Sequence, residues 1–206
     1  MPSPFLEGFF LQASLILAFG AQNIFVLESG LRRNRHLTVA LVCTACDFVL
    51  TFLGVLGTST LFQRFASLRV GLGIVGVAFL AYYGFMKLRE AFHGSEAGAH
   101  SSQASRTVAE AVWTSLGFSL LNPHVYLDTL VLIGGYSAKF VVLGDRIAFG
   151  FGACAISFLW FFGLAFCAGL FSRLFESKTA MRIVSLGSGI VLIGLAWKLG
   201  RELTVS

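Results

Sequence analysis

Apolar residues gather along the chain in runs of roughly twenty, each closed by a short cluster of charge or by glycine. That is the length a helix needs to cross a hydrocarbon core of about 30 Å. Six runs stand out, at residues 5–27, 38–61, 70–88, 108–134, 147–171 and 183–199. Within each the apolar positions are continuous and do not alternate with period two, as a membrane barrel would require. The pattern therefore predicts an all-α polytopic membrane protein of six transmembrane helices. The first run lacks a basic segment before it, exceeds the apolar core of a signal peptide and holds Glu7, Gln12, Gln22 and Asn23. It reads as a retained first helix.

The hydrophilic stretch 91–107 falls near the middle and reads as a linker between two three-helix units, 1–90 and 108–206, of a single transmembrane domain covering 1–206. Units with an odd number of spans must point in opposite directions, so the expected architecture is an inverted 3+3 repeat. The halves correspond at several points. Glu7 matches Glu110, Gly20-Ala21-Gln22 matches Asn122-Pro123-His124, Asp47 matches Ser157-Phe158, and the run from Lys87 to Glu90 matches that from Lys198 to Glu202. The alternative is six unrelated helices of like composition.

Two of these matches are polar interruptions of apolar helices, and helices 1 and 4 are accordingly expected to be broken at Gly20, Ala21 and Pro123. Pro123 has no N–H to return to the carbonyl of Ser119, and its ring presses on that turn. In transporters such breaks place free carbonyls and half-helix N-termini at a midplane site, where a carboxylate can meet N–H dipoles and an ammonium can meet an acid. A packing kink would also account for Pro123.

Composition sharpens this picture. Only 12% of residues are charged and mean hydropathy is +0.82, whereas about a quarter are charged in a soluble domain. Six spans use up almost the whole length, so no soluble catalytic or nucleic-acid-binding domain is expected. The net charge of +5 suits anionic lipid headgroups beside the loops and needs no nucleic-acid partner. Loops after spans one, three and five hold nine bases (Arg32, Arg33, Arg35, Lys87, Arg89, Arg106, Arg173, Lys178 and Arg182) against six on the other face. By the positive-inside tendency both termini are expected outside.

All fifteen Lys and Arg fall in loops or near helix ends, whereas Glu7, Asp47 and Asp128 lie within or near the spans. A charge at mid-bilayer costs several kcal/mol, so an acid there ordinarily faces the bundle interior or a wet cavity. Its partner would be a proton, a metal ion or a cationic substrate. The alternative is a protonated Asp that only ties helices together. Thr44, Asp47, Thr51, Gly54 and Thr58 share one face of span two. Thr44 and Thr51 join Glu7 as secondary candidates. His124 stands one turn from Asp128, close enough to share a proton or bind one group, unless it is simply a hydrogen-bonded core residue.

Cys43 and Cys46 have dithiol spacing but lie in an apolar helix and read as buried thiols. Cys154 and Cys167 complete no zinc spacing, so neither a metal site nor a cofactor is expected. No nucleotide-binding Gly-rich loop is present.

Two segments, residues 20–27 (Gly-Ala-Gln-Asn-Ile-Phe-Val-Leu) followed by Gly30-Leu31-Arg32-Arg33, and residues 121–129 (Leu-Asn-Pro-His-Val-Tyr-Leu-Asp-Thr), together with Asp47, give the chain its likeness to known proteins. Over nearly its whole length it resembles the L-lysine and L-arginine exporter family. Homoserine and threonine exporters share the layout but carry a Gly-Pro-Asn type break in span one. The resemblance implies a secondary transporter of a bacterial inner membrane that exports L-arginine or L-lysine, with Asp47 and Asp128 as the intramembrane acidic pair. Gln22, Asn23, Asn122, His124 and Tyr126 are candidates beside them for binding substrate or coupling ion. Proton antiport is the economical coupling, and a homo-oligomer is compatible with such a chain. Rival readings are export of another small solute, either a homoserine-type amino acid or a metal cation, and an intramembrane redox protein using Cys43 and Cys46.

Overall fold

The computed structural model describes residues 3–17, 20–58, 66–93, 107–172 and 178–205. Most of the expected linker, 94–106, lies outside the described residues, as does the end of the second run beyond Thr58. The described residues are helical throughout, with no strand. The chain forms α1 (Pro4–Ile16), α2 (Ala21–Leu31), α3 (His36–Leu53), α4 (Ala66–His93), α5 (Val108–Leu120), α6 (123–137), α7 (Leu143–Phe171) and α8 (Lys178–Val205). α3 runs on into a π-helical turn, Gly54–Thr58, where Gly57 takes a φ of 104° that favours glycine. α6 carries a longer π-helical stretch, Leu127–Ile133.

Three helical stretches are each long and apolar enough to cross a membrane: His36–Gly57, Leu143–Phe171 and Thr179–Leu203. Two bent pairs qualify when each is taken as one span, α1 with α2 at 81° and α5 with α6 at 65°. The expected third run falls within α4, whose 28 residues extend about 42 Å at 1.5 Å per residue. Several helices outlast their apolar runs. α2 continues to Leu31, α4 to His93 and α8 to Val205, because a helix carries on through a charge that finds a partner even where hydropathy falls.

Two helix starts carry side-chain caps. Ser3 caps α1 by accepting from the Leu6 N–H, and Thr107 caps α5 in a reciprocal box with Glu110, satisfying N–H groups that a helix start leaves unpaired. α4 packs along α8, and α7 packs against α1, α2 and α3.

Close approach relies on glycine. A Cβ on Gly8 would lie 2.0 Å from the Phe149 carbonyl oxygen, and one on Gly152 1.9 Å from that of Phe5, so α1 and α7 touch backbone to backbone. Gly54 and Gly134 bring α3 and α6 together the same way, with a Cβ on Gly54 falling 2.5 Å from the Thr129 carbonyl oxygen. Small residues are what let membrane helices approach this far.

Candidate functional site

Both expected breaks are present, and each is held by a side chain that reaches back across it. At the first, Asn23 Nδ2 donates to the Ile16 carbonyl at 2.9 Å, while Trp160 Nε1 donates to Asn23 Oδ1 at 3.1 Å. At the second, Tyr126 Oη donates to the Leu120 carbonyl at 2.7 Å. Asn122 Oδ1 accepts from the His124 N–H at 3.2 Å, so Asn122 caps the segment that begins at Pro123. In both breaks the second half-helix thus satisfies a carbonyl that the first leaves without an intrahelical partner.

Between the breaks lies a cavity of about 310 Å³ lined from α1, α2, α3, α4, α6, α7 and α8. Gly20, Ala21, Gln22 and Asn23 line it from the first break, Asn122, His124 and Asp128 from the second, and Asp47 from α3. Asp47 is 4% exposed. Its Oδ2 accepts from Ser157 Oγ at 2.9 Å, and that hydroxyl in turn accepts from Gln12 Nε2 at 3.2 Å. Gln12 also lines the cavity, and its buried Oε1 has no hydrogen-bond partner among the described residues. Gln22 donates to Ser119 Oγ at 3.1 Å. Asp128 opens the π-helical stretch of α6, a distortion that often marks functional positions. Its carboxylate makes no hydrogen bond or ion pair among the described residues.

Beside the cavity wall at Leu80 stand two layers of side chains carried by α2, α4, α5 and α8. The nearer is aromatic. Phe25 stacks on Phe118 with centroids 4.6 Å apart, Phe79 and Tyr83 each meet Phe118 at 5.0 Å, and Tyr83 Oη donates to Thr114 Oγ1. The farther is ionic. Glu28 pairs with Lys87 and, at 2.8 Å, with Arg32. Glu90 pairs with Arg32 at 2.8 Å and Lys87 at 3.3 Å, and Arg32 also donates to Ser185 Oγ. Glu28 and Lys87 are buried. The seven residues from Leu80, which lines the cavity, to Lys87 place the ionic layer about 10 Å beyond it along α4. On α8 the lining includes Leu195, Leu199 and, exposed at the rim, Lys198; the contacts of Gly84 with Ile193 and of Gly189 with Leu88 put Lys198 level with Leu80 of the antiparallel α4. His124, whose side chain is 41% exposed, stands 3.4 Å from Glu202, 46% exposed, at that rim.

The other charged, polar and thiol residues singled out in the sequence take varied places. Bases are not confined to the periphery: Lys87 is buried within α4 and Lys198 lines the cavity. Glu28 is a further buried acid that the hydropathy pattern left at the edge of span one. Glu7 is remote from the cavity, accepting from Lys139 and from Tyr136 Oη at 2.9 Å. Thr44 donates to the Ala40 carbonyl, and neither it nor the buried Thr51 lines the cavity. Tyr126 bridges the break and is not among the lining residues. His124 pairs with Glu202, although it shares the cavity with Asp128. Cys43, Cys46 and Cys154 are buried and free, and no cluster of three or more His, Cys, Asp or Glu that could hold a metal ion occurs among the described residues.

A family model described as LysE type translocator matches residues 13–203, taking in both breaks, Asp47, Asp128 and the ionic layer. The chain belongs to the LysE-type translocator family. Among its relatives, the arginine exporter protein ArgO of Salmonella newport is 38% identical over 202 residues, covering 98% of this chain and 95% of its own. The ArgO of Serratia proteamaculans is 38% identical over 199 residues, 97% of each chain. No solved structure matches. As a LysE-type translocator the chain is a multi-pass membrane protein.

Proposed function

We propose that the chain exports L-arginine, and with it L-lysine, across a bacterial inner membrane by exchange for protons. The observation that carries this reading is that Asp47 and Asp128, on different helices, line one cavity between the two broken spans. Each basic amino acid brings a side-chain cation that such acids can receive, and acids inside a membrane are otherwise expensive to keep. The names of the ArgO relatives favour arginine as the first substrate to test.

Moving a net positive amino acid outward against an inside-negative potential costs about 2.3 kcal/mol per 100 mV, so uphill export needs coupling. In the proposed cycle the cation binds deprotonated Asp47 and Asp128 from the cytoplasm and leaves outside. A proton from outside then neutralises an acid for the return. With the termini outside, the Lys198 rim faces out, and the aromatic and ionic layers lie toward the cytoplasm. The return requires those layers to part while the rim closes, which an inverted repeat allows by exchanging the roles of its halves. In this arrangement Asp47 and Ser157, matched positions of the two halves, meet in a hydrogen bond, as positions near a two-fold axis would.

Reconstitution into liposomes tests the reading. An imposed proton gradient should drive labelled L-arginine in the direction opposite to the protons, and should not drive L-threonine. Failure of both basic amino acids to move, or transport indifferent to the proton gradient under voltage clamp by ionophore, would overturn it.

A further inference from the structure

We propose that Lys198 holds the substrate's α-carboxylate, and so sets the preference for an amino acid over a bare cation; this rests on the reading of the site as a basic amino-acid carrier. Lys198 lies in α8 and lines the cavity that contains Asp47 and Asp128. It makes no ion pair or hydrogen bond among the described residues, whereas Lys87, Lys139, Arg32, Arg33, Arg146 and Arg182 are all engaged with protein acceptors. Lys198 is exposed at the cavity rim, and a cation there without a protein partner is available to a mobile anion.

Matching the halves strengthens the case. Lys87 and Lys198 occupy corresponding positions. Lys87 is neutralised by Glu28 of α2, but the second half has Leu130, Val131 and Leu132 where the offset between the two breaks would place that acid. The carboxylate that the first half supplies from its own chain is therefore missing beside Lys198, and an incoming one can take its place. Gly20, the N-cap of the 11-residue α2, lines the same cavity and makes no side-chain cap. The positive end of that helix favours an anion as well.

Charge and polarity then fit the whole substrate. The lining offers two carboxylates and one ammonium, and L-arginine at neutral pH offers two cationic groups and one carboxylate. Lys198 and the α2 N-terminus form the anionic group's pole. Asp47, Asp128 and the unpartnered Gln12 Oε1 form the cationic pole, with an acceptor left over for an N–H. Agmatine, which is arginine without its carboxylate, would meet the second pole and leave Lys198 unmatched.

The test is inhibition of labelled L-arginine transport in proteoliposomes by unlabelled L-arginine, agmatine and L-argininamide. Wild type should be inhibited at least about tenfold more strongly by L-arginine than by the two analogues, since an unsatisfied charged contact costs at least a factor of ten. Lys198→Gln should lose about tenfold in apparent affinity for L-arginine with little change for agmatine, and Lys198→Arg should retain the preference. Equal inhibition by all three compounds in wild type, or an unaltered ratio in Lys198→Gln, would overturn the role of Lys198 while leaving arginine export intact. No transport of basic amino acids by wild type would instead overturn both.

Discussion

Lys87 lies in α4 and Lys198 in α8, and the molecule treats them in opposite ways. Lys87 is buried against Glu28 in a network whose every charge has a partner. Lys198 lines a cavity with two acids and pairs with nothing among the described residues. The contrast teaches where a membrane protein can spend charge. A satisfied network holds helices together, whereas charges left unsatisfied around a cavity await a ligand that is not part of the chain.

The largest effect should come from breaking the satisfied side. Lys87→Met takes one cationic partner from the buried Glu28 and should lower stability by up to about 3 kcal/mol, read as a fall in Tm of the detergent-solubilised protein. The double variant Glu28→Leu with Lys87→Met removes both members of the pair and should recover much of that loss. A double variant as unstable as the single would show that the pair is not a unit.

A smaller effect is expected where only packing changes. Gly54→Leu must push α3 away from Thr129 and Gly134, and overpacking of this kind costs about 1–3 kcal/mol. Because Thr129 also lines the cavity, arginine transport should fall with Tm. Unchanged transport would separate the helix contact from the site.

The smallest effect should follow Glu7→Gln. Its pair with Lys139 lies at an exposed end of the bundle, where ion pairs add little. Tm and transport should both stay at wild-type values, and a marked loss of transport would return Glu7 to the functional residues.

The six apolar runs were legible in the sequence because span length and continuity are one-dimensional properties. The breaks were legible too, since Pro123 and Gly20 act on the backbone within one turn. Asp47 and Asp128 stood out because an acid in an apolar run is conspicuous without knowing its neighbours. Glu28 and Lys87 did not, because they sit 59 residues apart at run edges where a charge looks like a loop. Lys198 was hidden for the same reason: hydropathy marks it as the end of a span, while α8 continues to Val205 and keeps it on the cavity wall. Gln12 and Ser157 are ordinary polar residues in apolar helices, and only the fold joins them to Asp47.

Receipt of the substrate cation by Asp47 and Asp128 is what the proposed cycle requires. It is tested most directly by proton-driven L-arginine transport in proteoliposomes, comparing wild type with Asp47→Asn and Asp128→Asn. Each variant removes one charge with little change in volume, so Tm should hold. Loss of a buried charge partner is worth about 2 kcal/mol or more, and transport should fall at least about thirtyfold in each variant. Well-folded variants that both carry arginine at the wild-type rate would contradict the account.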